Sequence, residues 1–226
     1  LTVNGKTIKV GDSITSVNKK FKLEKSGLYD TGKYPWNIYE PYTDNFLMVR
    51  VKDGKVWGFY TSSRKFSCKS WDKTIKFGDS YSEGEDFCND IDTDIQYIYY
   101  HTINHTVDLI YYAPDQGECD NHPNVSEKKQ LAGAETIAEY AFNQLRYNEG
   151  KTILDTSQNT TAGKICKRWA DDWIIKKSGT THNGETTRWN FINEVIKKEF
   201  PDFIEVAPAE VCMGITGSGD LLGIRC

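Results

Sequence analysis

The sequence contains one octapeptide twice. Residues 6–13 read KTIKVGDS and residues 73–80 read KTIKFGDS, so that only Val10 and Phe77 differ, at an offset of 67 residues. Shared secondary-structure propensity alone would not reproduce seven of eight residues in order, and such a match indicates duplicated structure. Each copy runs from a short apolar alternation into Gly-Asp-Ser, which predicts a strand ending at Gly11 or Gly78 and then a capped helix. For the first copy, the helix is expected to bury Ile14, Val17 and Phe21.

A phosphate-binding loop is the alternative interpretation of the octapeptide, because it combines lysine, glycine and serine. The glycine-rich run and the Gly-Lys-Ser order of such loops are missing. We therefore favour the structural interpretation.

Asp53-Gly54 is the strongest hairpin signal in the chain, because both turn positions must tolerate positive φ. The apolar stretches 46–51 and 55–61 flank it, and both faces of this hairpin are partly apolar, which predicts an inner position in a sheet. The expected cross-strand pairs are Val51 with Val56, Arg50 with Trp57, and Met48 with Phe59.

The second copy predicts a matching hairpin, residues 95–102 and 106–112 around Asn104. Its tyrosines are candidates for a carbohydrate or peptide platform, although tyrosines in such strands more often cover a sheet. They are Tyr97, Tyr99, Tyr100, Tyr111 and Tyr112.

The pattern changes after residue 114. Residues 115–125 are polar and, together with Pro114 before them, contain two prolines, which predicts a linker. Helical spacing begins at about residue 126. Three helices are expected, at about 126–149, 161–178 and 187–200, followed by short strand-like segments. The apolar face predicted for the first of them consists of Leu131, Ala134, Ala138, Ala141, Phe142 and Leu145.

The charge pattern argues against nucleic-acid binding, and the apolar pattern argues against a membrane span. A net charge of −4 with basic residues in scattered pairs argues against a nucleic-acid-binding surface. No apolar run has the length of a membrane span. The chain begins at Leu1 without an initiator methionine or a signal peptide, and we expect a processed or trimmed product.

Six cysteines are spread along the chain without a Cys-x-x-Cys pair. This spacing favours three disulfides in an oxidising compartment over a zinc ribbon or a thioredoxin-type motif. The alternative is free, buried cysteines in a cytosolic protein. Spacing leaves the connectivity open, with Cys68–Cys88 as our preferred pair within the second copy. The disulfide candidates are Cys68, Cys88, Cys119, Cys166, Cys212 and Cys226.

Few residues are candidates for catalysis. His101 and His105 are four apart, which is a metal spacing on a helix but not in a predicted hairpin, and His122 lies in the linker. His182 follows a predicted helix in the loop 179–184, where a side chain can be held over a cleft. The sequence has no nucleophile elbow and no His-Glu-x-x-His motif.

The second half of the chain resembles the opening of a CAP domain. A first helix with Asn143-Gln-Leu-Arg146, a second helix with Trp169-Ala-Asp-Asp172 and the loop His182-Asn-Gly184 follow one another in the order found in that superfamily. It includes cysteine-rich secretory proteins, insect venom allergens and plant pathogenesis-related proteins. The duplicated Gly-Asp-Ser units, residues 36–39 and residues 49–56 are similar to the CAP-associated N-terminal domain of secreted bacterial CAP proteins.

The resemblance implies a cleft with two histidines and two acidic residues. His182 matches the first histidine and Glu210 matches one glutamate, although the neighbouring Gly and Asn of the family motif are replaced. The later acid and the second histidine have no counterpart, so the domain is either reduced or part of a longer one. With two of four ligands, a zinc or other divalent ion would bind weakly, and no cofactor is expected.

These observations predict an α+β protein in two domains. Residues 1–114 form a duplicated strand-helix-β-hairpin domain with repeats at about 1–67 and 68–114. Residues 126–226 form a divergent or truncated αβα-sandwich CAP-like domain. The expected function is a secreted or cell-surface CAP-family protein that binds an extracellular ligand (cell wall, peptide, lipid or host surface) without catalysis. The alternative is a hydrolase or metal-dependent peptidase that uses His182 and Glu210.

Overall fold

The computed structural model of the chain describes residues 1–30, 32–70, 73–80, 106–112 and 124–154, together with Lys164 and Lys198. Two helices and two antiparallel sheets occur in these ranges, so the fold is α+β, as predicted. The described residues up to Ile153 belong to one compact unit. The strands are β1 (Thr2–Val3), β2 (Lys6–Thr7), β3 (Leu23–Leu28), β4 (Trp36–Tyr39), β5 (Leu47–Lys52), β6 (Lys55–Thr61), β7 (Phe66–Ser70), β8 (Lys73–Lys76) and β9 (Ile110–Tyr112). The helices are α1 (Ile14–Lys20) and α2 (Glu127–Asn148).

The five-stranded sheet, in the order β3-β4-β5-β6-β9, is buried on both faces. Leu47 and Val49 of β5 point to one face, where α1 and a four-stranded sheet in the order β2-β1-β7-β8 cover them. Met48 points to the other face, where Ile137 and Ala141 of α2 pack. The hairpin β5–β6 is therefore an inner element of the sheet, as predicted.

The hairpin turn has the predicted geometry, but the register beyond it differs from the prediction. Asp53 and Gly54 have φ of 51° and 71°, and Val51 pairs with Val56 as predicted. The predictions that Arg50 pairs with Trp57 and Met48 with Phe59 are wrong, because a register shift lies between Arg50 and Val51. Arg50 pairs with Gly58, and Met48 pairs with Tyr60. The bulge places Val56 and Phe59 in one core, and Trp57 and Tyr60 in the other.

Helix α1 forms as its sequence predicts. The Ser13 hydroxyl accepts a hydrogen bond from the Ser16 amide at 3.2 Å, which is the capping interaction of an N-cap serine. Val17 and Phe21 are buried and Ile14 packs against the same core, so the predicted apolar face is confirmed.

The first octapeptide ends in a tight turn that is hydrogen-bonded to β6. The Lys9 amide donates to the Asp12 carboxylate at 3.0 Å. The Gly11 amide donates to the Val56 carbonyl, and the Val56 amide donates to the Asp12 carbonyl, both at 2.8 Å. Gly11 has a φ of 88°, a conformation that favours glycine. These bonds occupy the amides that a phosphate-binding loop would leave free.

The second octapeptide makes the same set of bonds. The Lys76 amide donates to the Asp79 carboxylate at 2.7 Å. The Gly78 amide donates to the Val107 carbonyl at 2.8 Å, and the Val107 amide donates to the Asp79 carbonyl at 3.0 Å. Gly78 has a φ of 80°. The one difference in residue type between the octapeptides follows from the surroundings, since Val10 is 44% exposed whereas Phe77 packs edge-on against Phe66.

The strand pairs that carry the octapeptides share a register too. In the first pair Thr2 lies opposite Thr7, and in the second Lys69 lies opposite Thr74, which is a shift of 67 residues on both strands. A strand also accompanies the hydrogen-bonded valine in each copy, because Val56 lies in β6 and Val107 lies just before β9. These two strands pair antiparallel, with Tyr60 opposite Tyr111. The described parts of the two copies are therefore locally alike in turn, pairing and hydrogen bonding.

Replacing either turn glycine should have the same effect. A Cβ at Gly11 or Gly78 meets nothing within 4 Å, so Gly11→Ala and Gly78→Ala add only the strain of a left-handed backbone. We expect each to lower the free energy of unfolding by about 1–2 kcal/mol in a urea titration. Val10→Ala is the control and should change it by less than about 0.5 kcal/mol. A neutral Gly78→Ala beside a destabilising Gly11→Ala would show that the two turns differ.

Helix α2 uses a face other than the predicted one. Of the predicted apolar residues only Ala141 is fully buried, and Leu131 and Phe142 are 59% and 45% exposed. The face against the sheet is formed by Gly133, Ile137, Ala141, Gln144 and Asn148. The predicted linker lies outside the described residues apart from its last two, so the domain boundary stays a prediction.

Candidate functional site

Most residues singled out from the sequence lie outside the described residues. These include His182 and Glu210, whose joint cleft and weak metal site stay predictions, as does the hydrolase alternative. The same holds for five of the six cysteines, namely Cys88, Cys119, Cys166, Cys212 and Cys226. Within the described ranges, no group of three or more histidine, cysteine or acidic side chains is placed to hold a metal ion.

Cys68 is the one candidate cysteine that the structure describes. It lies in β7, is buried in the core between the two sheets, and carries no disulfide in this structure. Burial raises the pKa of its thiol. Its pairing with Cys88 stays a prediction.

The described tyrosines of the predicted platform belong to the core. Tyr111 is 1% exposed and lies against Trp36, with 6.3 Å between ring centroids. Tyr112 is stacked on Phe59 at 5.2 Å. For these two residues the expected role as cover of a sheet is confirmed.

Asn143 and Arg146, the polar residues of the CAP-like first helix, both serve to position other segments. Asn143 is fully buried and hydrogen bonds to the Tyr42 hydroxyl. Arg146 Nε donates to the Thr152 carbonyl at 2.9 Å, which folds the chain after α2 back onto the helix.

A buried ion pair holds the loop on which α2 rests. Arg50 and Asp30 are both 0% exposed, and the Arg50 guanidinium binds the Asp30 carboxylate. The same carboxylate accepts hydrogen bonds from Trp36 Nε1 at 2.9 Å and from the Gly32 amide at 2.7 Å. The guanidinium also lies over the Trp36 ring, 4.6 Å from its centroid. These contacts fix the adjacent residue, Tyr29, whose backbone packs against Gly133 of α2.

The loop between β4 and β5 is held in a strained conformation beside α2. Glu40 and Tyr42 have φ of 41° and 60°, which costs a residue with a side chain about 1–2 kcal/mol. The Glu40 carboxylate accepts bonds from Lys6 Nζ and the Lys22 amide, both at 3.0 Å, and from Asn45 Nδ2 at 2.6 Å. Burial alone would raise the pKa of Glu40, but these hydrogen bonds outweigh it and lower that pKa.

Gln144 connects this loop to the helix. Its Oε1 accepts from the Tyr42 amide at 2.7 Å, and its Nε2 donates to the Thr43 carbonyl at 3.2 Å. Asn148, one turn further, donates to the Ser62 carbonyl at 2.5 Å. Gln144 is fully buried, so these bonds are shielded from water and fix the loop to α2.

The consequence is a surface cluster that we call the tyrosine–glutamate patch, formed by Tyr42, Tyr140, Glu24 and Glu139. The rings of Tyr42 and Tyr140 are stacked, with centroids 5.8 Å apart and planes at 22°. Both rings are partly exposed and Glu24, on β3, is exposed. The Tyr140 hydroxyl is hydrogen-bonded to Glu24, and Glu139 precedes Tyr140 on α2.

The electrostatics of the patch are negative. The pKa of Tyr42 is raised to about 12, by burial first and then by the Glu139 carboxylate, while the bond from Asn143 opposes the rise. The pKa of Tyr140 is also raised, by burial first and then by Glu24 and Glu139. Both hydroxyls are therefore neutral at pH 7, and the two carboxylates supply the charge around the rings.

Chemically, the patch offers two aromatic rings, two hydroxyls and two carboxylates on a preorganised surface, which suits binding. The sequence analysis missed it because Tyr42 and its anchor Gln144 are 102 residues apart and no local pattern predicts that they meet.

Comparison with models of known protein families, with curated proteins and with solved structures found no match. Among the described residues, no helix is both long enough and apolar enough to cross a membrane.

Proposed function

We propose that the chain is a secreted or cell-surface protein of the CAP superfamily that acts by binding an extracellular ligand rather than by catalysis. The observation that carries the binding function is the tyrosine–glutamate patch, whose loop is held in a strained conformation by Glu40 and Gln144. Such strain persists only where surrounding contacts over-determine it, and it is common at ligand sites.

The family assignment rests on the sequence resemblance, in which residues 143–146 belong to the first helix of the CAP-like domain. The duplicated N-terminal module, which is part of that resemblance, is supported by the equivalent turns at Gly11 and Gly78. A CAP-like domain that follows it would supply His182 and Glu210, and with only these two cleft residues we expect no hydrolytic turnover.

Binding can be tested with the full chain carrying ¹³C-labelled tyrosine, whose ring signals are assigned with Tyr42→Phe and Tyr140→Phe. The probes are N-acetylated amino-acid amides of each charge type, N-acetylglucosamine and a short-chain phosphatidylcholine. We expect at least one probe to shift the Tyr42 and Tyr140 signals. The Tyr112 signal is the internal control, because Tyr112 lies in a separate stack on Phe59 and should not respond.

Two results would overturn the proposal. If no probe shifts the ring signals of Tyr42 or Tyr140, the patch is not a binding site. Hydrolysis of p-nitrophenyl acetate or casein that is lost in His182→Ala and in Glu210→Gln would instead support the hydrolase alternative.

A further inference from the structure

The composition of the patch also defines the class of ligand. Stacked aromatic rings present negative faces, and carboxylates beside them add full negative charge. Because this inference assigns a ligand to the proposed binding site, it rests on the proposed function. We infer that the tyrosine–glutamate patch binds a cationic alkylammonium or guanidinium group.

The charge balance around the patch favours a cation from outside. Four ion pairs link the described side chains of Lys6 with Glu40, Arg50 with Asp30, Lys65 with Asp44, and Lys151 with Glu149. Within the described ranges neither Glu24 nor Glu139 takes part in one of these pairs. The hydroxyl of Tyr140 occupies only part of the hydrogen-bonding capacity of the Glu24 carboxylate.

The rings are rigidly placed, which lowers the cost of ordering them on binding. The Tyr42 backbone is fixed through Gln144 and its hydroxyl through Asn143, while Tyr140 projects from the middle of a 22-residue helix. A partly exposed surface of this kind binds a single cation weakly. The occupant is therefore a lysine or arginine side chain displayed on a partner protein.

The test compares probes that differ only in charge. N-acetyl-lysine methylamide is titrated against the labelled chain beside N-acetyl-norleucine methylamide, which has a similar apolar stem and no ammonium group. We expect the lysine probe to shift the Tyr42 and Tyr140 signals and the norleucine probe to leave them unchanged at the same concentration. Sodium chloride should weaken the interaction, since partly exposed charges are screened.

Variants separate the contributions of charge and ring. The double variant Glu24→Gln/Glu139→Gln should weaken lysine binding roughly tenfold, because each exposed ion pair contributes about fivefold or less to the affinity. Glu149→Gln lies on the turn after the same helix, in a pair with Lys151, and serves as the matched control with no effect. Tyr140→Phe should retain binding, whereas Tyr140→Leu should lose about twofold to fivefold, the range for exposed cation–π contacts. Unfolding curves check that each variant is folded.

The source of the cation is resolved by further arms with an arginine peptide and with choline. Stronger binding of the lysine or arginine peptides supports a protein partner, whereas stronger binding of choline would overturn it in favour of a small amine or a lipid headgroup. Equal responses to lysine and norleucine, or lysine binding that survives the double glutamine variant, would overturn the inference. If a neutral or acidic probe binds in its place, the proposed binding function stands while the cationic ligand is wrong. If no probe binds, both fail.

Discussion

Arg50→Met should destabilise the protein by about 3–5 kcal/mol, because it leaves the carboxylate of Asp30 buried without its cation. The loss should be visible as a lower urea midpoint of the unit that contains both sheets. The double variant Asp30→Asn/Arg50→Met removes both charges, and an asparagine oxygen can still accept a hydrogen bond from Trp36 Nε1. We expect it to recover more than half of the loss, since a buried pair is costly mainly when one partner is missing.

A second ion pair provides the control. Lys65 and Asp44 are 2.8 Å apart, with side chains that are 56% and 28% exposed. Lys65→Met should therefore change the free energy of unfolding by less than about 1 kcal/mol. If Arg50→Met proved as mild as Lys65→Met, the Arg50–Asp30 pair would be open to water in solution, and the loop it holds would not be rigid.

Features set by neighbouring residues could be predicted from the sequence. Ser13 caps α1 and Asp53-Gly54 forms the hairpin turn, because each depends on hydrogen bonding or φ values within a few residues. The turns from Lys9 to Asp12 and from Lys76 to Asp79 are local in the same sense. The bulge between Arg50 and Val51 was missed, because it depends on which side chains the two cores accept.

The face of α2 could not be predicted, because hydrophobicity alone does not identify it. Leu131, Phe142 and Leu145 form an apolar stripe on one side of the helix, but only a neighbouring side meets the sheet. That neighbouring side includes Gln144 and Asn148, since the backbone groups of the loop and of Ser62 need hydrogen-bonding partners there. The same long-range contacts create the tyrosine–glutamate patch, so the site and the helix face were missed for one reason.

At Gly133 the backbone of α2 lies directly against the backbone of Tyr29, the residue that follows β3. A Cβ at this position would lie 2.0 Å from the Tyr29 carbonyl oxygen and 2.8 Å from its amide nitrogen. Both atoms are backbone, and the Arg50–Asp30 pair holds the residue next to them. Neither side of the contact can yield without moving the loop or the helix.

Gly133→Ala should consequently destabilise the protein by about 2–3 kcal/mol in a urea titration, the cost of overpacking a close contact. Helix propensity alone predicts the opposite sign, because alanine stabilises a helix by about 1 kcal/mol relative to glycine. Ala132→Gly, at an exposed neighbouring position, is the control for propensity and should cost about 1 kcal/mol.

A helix displaced by the methyl group also moves Tyr140 away from Tyr42, so the ring signals of the patch should change in Gly133→Ala and stay unchanged in Ala132→Gly. A stabilising Gly133→Ala with unchanged tyrosine signals would show that α2 does not rest on Tyr29 in solution.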